Sequence, residues 1–188
     1  FFLGGVFACL FGMASVYAAE IGMTTAEVSI FIGLIYVGGL MLQYPIGWIS
    51  DRMDRRRLII IVTGVGTGAA VTATVLGDTF LAIVALGFVI GGMANPLYSR
   101  LVAHTNDFLE HEDMPAAAGG ILLITGIGST ATPIIVGVLM DVAGPKAFMA
   151  AIGLLFGAIM LYAIYRSTVR AATPADETLP YSPLGMVS

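Results

Sequence analysis

Long apolar runs alternate with short polar breaks along the whole chain. The runs cover 1–19, 27–50, 58–77, 80–103, 115–140 and 148–165. The breaks are EIGMTTA (20–26), DRMDRRR (51–57), Asp78-Thr79, HTNDFLEHEDM (104–114) and DVAGPKA (141–147). A helix needs about 20 apolar residues to cross roughly 30 Å of hydrocarbon. Within lipid only helices and closed barrels satisfy the backbone, and these runs are far too long for barrel strands. The pattern predicts an all-α membrane protein, one bundle of six transmembrane helices over residues 1–165. The tail 166–188 turns polar and proline-bearing, which predicts extended or disordered chain.

Composition agrees. Only 11% of the 188 residues are charged, where soluble domains carry roughly a quarter. Glycine, 24 residues, is also raised, as it is in membrane helices. Placement of charge then sets orientation. Arg52, Arg55, Arg56, Arg57, Arg100, Arg166 and Arg170 fall on one side of the alternating topology and Lys146 on the other. Positive loops stay inside, so the arginine-rich side and both chain ends are expected in the cytoplasm, with the chain spanning the cell (inner) membrane several times. The chain opens on Phe-Phe without a basic flank, which argues against a signal peptide and for a start inside a longer protein.

The turn between the second and third runs concentrates charge: GWISDRMDRRR, residues 47–57. It resembles the signature loop of the major facilitator superfamily: Gly, three residues, Asp-Arg, one residue, Gly, then two basic residues. Gly47, Asp51, Arg52, Arg55 and Arg56 match, and Asp54 replaces the second glycine. Asp is tolerable there if the turn needs φ > 0. The D-R-x-D-R-R form, NPLYSRLVAHTND (95–107), GSTATPIIVGVLMDVAGP (128–145) and the PYSPL element of the tail are similar to the YcaD-like branch of that family. The resemblance covers the whole chain and implies the C-terminal six helices of a twelve-helix transporter. It also implies that Gly47, Asp51, Arg52, Arg55 and Arg56 form a conformational lock, with the Asp51 partner in the N-terminal half. On spacing alone, Asp51 and Arg55 could pair four residues apart, or the loop could serve only to set topology.

An echo supports a repeat. Gly47-xxx-Asp51 closes the second helix and Gly137-xxx-Asp141 closes the fifth. Three spans is an odd number, so the second copy faces the other way, as in an inverted 3+3 repeat.

Polar side chains inside spans should face the bundle interior or a wet cavity. Tyr36 and Gln43 share one face of the second helix. Asn95, Tyr98 and Ser99 share one of the fourth, and Thr125, Ser129 and Thr132 one of the fifth. Ser15 lies in the first helix, with Tyr17 and Glu20 nearer its outer end. The sixth helix has only tyrosines near its inner end and reads as lipid-facing. Pro96 and Pro133 each free an upstream carbonyl, and interrupted helices point to transporter sites. These eleven residues are the candidate substrate path; helix–helix glue is the plainer alternative for each. Resemblance places the first, second, fourth and fifth helices of a half beside the central path.

Other signals carry less. Gly64-x-Gly66-x-Gly68 lies inside a span with no strand before it, so it fits helix packing and no nucleotide loop. His104 and His111 share a loop with four acids, but the spacing fits no compact metal site. No GxSxG occurs and neither histidine lies in a span, which removes an intramembrane Ser–His hydrolase. No catalytic residue, cofactor or nucleic-acid partner is expected. The expected partners are a small-molecule substrate, the lipid bilayer, an N-terminal six-helix half and a coupling ion. The function implied is secondary active transport by alternating access. A non-transporting scaffold or receptor, or a half-size homodimeric transporter, is the alternative. A Gly-Pro pair would mark an antiporter in the fifth helix of a first half; here Thr132-Pro133 stands in the corresponding place, so export gains no support.

Overall fold

The computed structural model describes residues 1–50, 52–77, 79–106 and 114–169, of which 55, 98–106, 114–115 and 169 are described by backbone alone. Six long helices run in order. They are α1 (Phe2–Glu20), α2 (Thr25–Ser50), α3 (Arg55–Leu76), α4 (Phe80–Asn106), α5 (Met114–Ala143) and α6 (Ala147–Val169). No strand occurs among the described residues, and all six helices hold stretches long and apolar enough to cross a membrane. The protein is a multi-pass membrane protein.

The helices differ from the expected runs mostly at their ends, and each difference has a local cause. α2 starts two residues early because Thr24 and Glu27 form a reciprocal cap. The Thr24 amide and hydroxyl each donate to Glu27 Oε2 at 2.8 Å, and the Glu27 amide donates to Thr24 Oγ1 at 3.4 Å. α3 starts three residues early because Asp54 is its N-cap: Asp54 Oδ1 accepts from the Arg56 amide at 2.8 Å. With φ −54° and ψ 126°, Asp54 does not occupy the left-handed region that the glycine signature suggested. An aspartate there serves as a cap, so that expectation is corrected. Replacing Asp54 by Ala should cost the first turn of α3 about 1 kcal/mol, and by Gly only a few tenths. Faster hydrogen exchange at residues 56–58 in Asp54→Ala, with little change in Asp54→Gly, would be the result.

α6 runs on to Val169, so residues 166–169 are helical and not part of the tail; the rest of the tail lies outside the described residues. Gly22 (φ 83°) and Gly144 (φ 85°) end α1 and α5 in the left-handed conformation, which lets each chain reverse within a few residues. Two further features were not expected. Cys9–Met13 of α1 is a π-helical segment, and α2 carries Pro45 inside it.

Packing follows a repeated plan. α2 lies along α4, α1 along α5, and α3 along α6, while α3 also touches α4 and α1 touches α6. Advancing each helix by three places maps α2–α4 onto α5–α1, maps α3–α4 onto α6–α1, and leaves α3–α6 unchanged. Individual contacts obey the same rule. A Cβ on Gly4 would strike the Thr125 carbonyl, just as one on Gly91 would strike that of Ile35. A Cβ on Gly128 would meet the Phe1 carbonyl, and one on Gly38 that of Phe88. Gly5 lies on Thr132, and Gly92 on Leu42. The glycines thus let two pairs of backbones touch at equivalent points. In lipid this matters because helices associate through van der Waals packing, the lipid tails being as apolar as leucine. The echo of Gly47-xxx-Asp51 in Gly137-xxx-Asp141 belongs to this larger inverted repeat.

α3 and α6 form the remaining pair. Phe156 and Ile152 of α6 are fully buried, and Gly66 of α3 receives the Phe156 ring. Three of the four threonines of α3 bond back to their own helix: Thr63 Oγ1 donates to the Ile59 carbonyl at 2.6 Å, Thr67 to Thr63 at 2.8 Å and Thr74 to Ala70 at 2.9 Å. Without water, a hydroxyl must find such an acceptor.

Candidate solute path

Besides an aliphatic face along α5, where Leu122, Leu123, Ile127 and Ile134 are exposed around a groove of about 700 Å³, two open faces flank the bundle. On the α6 side, Leu154, Leu161, Tyr162 and Tyr165 are exposed beside Val71 and Val75 of α3. A groove of about 570 Å³ between these helices is lined almost wholly by aliphatic and small residues, from Thr67 to Leu161. On the other side, α1 and α2 expose Gly12, Ser15, Ser29, Gly33, Tyr36 and Gln43, together with the aliphatic Val16, Ile30, Leu40 and Met41. The α6 side resembles a lipid-facing wall.

The eleven sequence candidates fall into four groups. Ser15, Tyr36, Gln43 and Glu20 are exposed, Glu20 as the last residue of α1. Tyr36 touches Phe11 of α1, with ring centroids 4.8 Å apart. Asn95, Thr125, Ser129 and Thr132 sit at the glycine crossings. Ser129 Oγ donates to the Gly4 carbonyl at 3.0 Å, which ties α5 to α1. Thr132 is buried against Gly5, and the Asn95 side chain lies over Gly39 between α4 and α2. Tyr17 stands apart. It is only 2% exposed and packs between Phe31 (6.2 Å) and Phe148 (4.7 Å, stacked), so it joins α1, α2 and α6 in the core. Tyr98 and Ser99 lie in α4 just beyond Pro96, in the stretch described by backbone only.

Charge is almost absent from the middle of the helices. Arg100 of α4 is the one charged residue more than about a turn inside any described helix. The rest cluster at ends, as the cost of an ion in hydrocarbon demands. Among the described residues no three His, Cys, Asp or Glu side chains gather as a metal site would require. Most of the His104–Asp113 segment falls outside those described residues.

The arginine-rich turn is ordered by its own residues. Gly47 sits in the last turn of α2, half-buried. The Arg52 guanidinium lies 3.8 Å from the centroid of the exposed Trp48 ring, and its Nη1 donates to the Trp48 carbonyl at 3.2 Å. This is a cation–π contact that also caps the end of α2. Arg55 and Arg56 occupy the first turn of α3. Asp51, and with it the Asp51–Arg55 pair, lies outside the described residues.

Sequence reasoning overlooked Phe7 and Phe11. Their centroids are 5.4 Å apart, and with Tyr36 they make a row of three rings bridging α1 and α2. The signal was present as an i, i+4 aromatic pair on one helix face, but such pairs inside apolar runs are more often core.

Comparison with known proteins fits this architecture. The family model of the Major Facilitator Superfamily matches residues 1–186, and the chain belongs to that family of membrane transporters. It is similar to the protein named "Uncharacterized MFS-type transporter YcaD" from Salmonella arizonae, at 24% identity over 138 residues. Proteins of that name from Salmonella paratyphi B and Salmonella newport match at 24% over 141 residues. Each alignment takes in 73% of this chain and 35% of the relative, so the matched stretch spans about a third of those relatives' length. No solved structure matches the chain at a comparable level.

Proposed function

We propose that these six helices are the C-terminal half of a secondary active transporter that moves a small solute by alternating access. The observation that carries the reading is the inverted pairing of α1–α5 with α4–α2, found in a chain matched throughout by the transporter family model. Two inverted triplets form a rigid body that can rock against a second one, with the solute held between them. The exposure pattern supports such a partner. Only 22% and 17% of the most apolar windows of α2 and α5 are buried, against 50% and 56% in α1 and α4. The repeat-related pair α2 and α5 is therefore the one left open, and a six-helix N-terminal half would cover it.

In this reading the arginine-bearing turn and both ends of the chain face the cytoplasm of the inner membrane. The signature residues Gly47, Asp51, Arg52, Arg55 and Arg56 hold the halves together in one conformation. Ser15, Glu20, Tyr36 and Gln43 line the path directly. Asn95, Thr125, Ser129 and Thr132 work at crossings that tighten or loosen as the bundle moves, Tyr98 and Ser99 lie beside the Pro96 interruption, and Tyr17 anchors the path from behind. A coupling ion would enter with the other half, since a deeply placed carboxylate is missing from the described spans here.

The test is uptake by the full-length protein in proteoliposomes against a panel of labelled solutes. At least one should exchange saturably, and Asn95→Ala with Thr132→Ala should change its kinetics by about tenfold, the scale of 1–2 kcal/mol at such contacts. Unchanged kinetics would remove the crossings from the mechanism. No exchange of any solute would favour a scaffold.

A further inference from the structure

We propose that the solute is a planar aromatic molecule without net negative charge, stacked on the ring row Phe7–Phe11–Tyr36. The inference rests on the transporter reading and names the class of solute that the same face would take. The three rings run across the gap between α1 and α2: Phe7 to Phe11 at 5.4 Å and 31°, Phe11 to Tyr36 at 4.8 Å and 40°. The row ends in the open. Tyr36 is 51% exposed, and no described residue accepts a hydrogen bond from its hydroxyl. Phe11 is half-buried, so part of its ring is open.

The ground beside the rings is clear. Gly12 follows Phe11, and Gly33 lies one turn before Tyr36; a Cβ on either would have no neighbour within 4 Å. Ser29 and Gln43 share the face of α2 with Tyr36, and Ser15 lies one turn beyond Phe11 on α1. A lipid-facing wall in this protein looks different, as the aliphatic face of α6 shows. The rings thus share an open face with small polar groups and with Leu40.

Chemistry limits what such a face retains. Aromatic faces attract ring edges and cations and repel anions, through their quadrupoles. Among the described residues of α1 and α2, no cation lies near the middle of either helix. The only charged residue of α1 is the terminal carboxylate Glu20, and Arg52 is already engaged with Trp48 beyond the inner end of α2. An anion would thus meet no counter-charge from α1 or α2, whereas a flat neutral or cationic ring system gains stacking at each step.

The probe is 9-aminoacridine, whose fluorescence is quenched on stacking, titrated into the purified full-length protein in nanodiscs. Cyclohexylamine, an aliphatic cation, and 1-naphthoate, an aromatic anion, serve as competitors. Saturable quenching is expected, displaced by neither competitor below about tenfold higher concentration. Tyr36→Leu and Phe11→Leu should each weaken binding by about tenfold, while Tyr36→Phe stays within about twofold. Circular dichroism and size-exclusion profiles of the variants establish that they fold. Folded variants that bind as the unaltered protein does, or equal competition by cyclohexylamine, would overturn the proposal. So would the absence of quenching while the proteoliposomes exchange some other solute, in which case transport stands and only the solute class falls. No exchange of any solute would remove both.

Discussion

Replacing Gly38 by Leu should lower the thermal midpoint of the protein in detergent by roughly 10 °C or abolish folding, whereas Gly68→Leu should leave it within a degree or two. The two glycines sit in equally apolar helices and differ only in what faces them. A Cβ at Gly38 would collide with the backbone carbonyl of Phe88, and a backbone atom cannot swing aside as a side-chain tip can. Relief requires α2 and α4 to separate, which breaks the contacts at Gly91 and Gly92 as well. A Cβ at Gly68 would meet nothing within 4 Å. Overpacking typically costs 1–3 kcal/mol and this case falls at or above the upper end, because one displacement disturbs a whole crossing. Gly128→Leu, the equivalent change in the other triplet, should behave like Gly38→Leu, since it would meet the Phe1 carbonyl. Size-exclusion after a heat step reads all three. A tolerant Gly38 would mean that the close crossing is not what joins the triplets.

Much of this architecture was legible in the residues because membrane physics leaves few choices. Apolar runs of this length bounded by charge read as spanning helices, and arginine placement predicts their orientation. The two-residue echo of Gly47 and Asp51 in Gly137 and Asp141 was the visible end of a repeat whose bulk lies in glycine contacts. Those contacts were hidden because nothing in the sequence says which glycine meets which helix. Helix ends were less legible. Asp54 was read through the glycine it replaces, yet its side chain caps α3, a role open to any aspartate that precedes a helix.

Of the candidate path, residue type announced polarity but not direction. Ser129 looked like a path residue and its hydroxyl is engaged by Gly4; Tyr17 looked like one too and is stacked in the core on Phe148. Ser15, Tyr36 and Gln43, chosen on the same grounds, are exposed. The difference arises from tertiary packing, which turns one face of α1 onto α5 and α6 and leaves the other free. Phe7 and Phe11 were passed over for the converse reason: an i, i+4 aromatic pair in an apolar run does not say whether it lies in the core or on an open face.

The second large effect concerns those two faces. Cysteines placed at Ser15 and Gln43 should react with a water-soluble maleimide at least about tenfold faster than cysteines at Leu154 and Leu161, although all four positions are exposed. A thiol reacts as the thiolate, and a thiol in hydrocarbon neither ionises nor meets a polar reagent. Water therefore decides the rate, and exposure alone does not. The native Cys9 is buried and should contribute little background.

The account depends on one claim, that the face shared by α1 and α2 is wet in the assembled protein while the α3–α6 face lies in lipid. Maleimide labelling of these four introduced cysteines, each in the full-length protein in native membranes, measures it directly. Rapid labelling at 15 and 43, with slow labelling at 154 and 161, is the predicted result. Equal rates at all four, or faster reaction at 154 and 161, would contradict it.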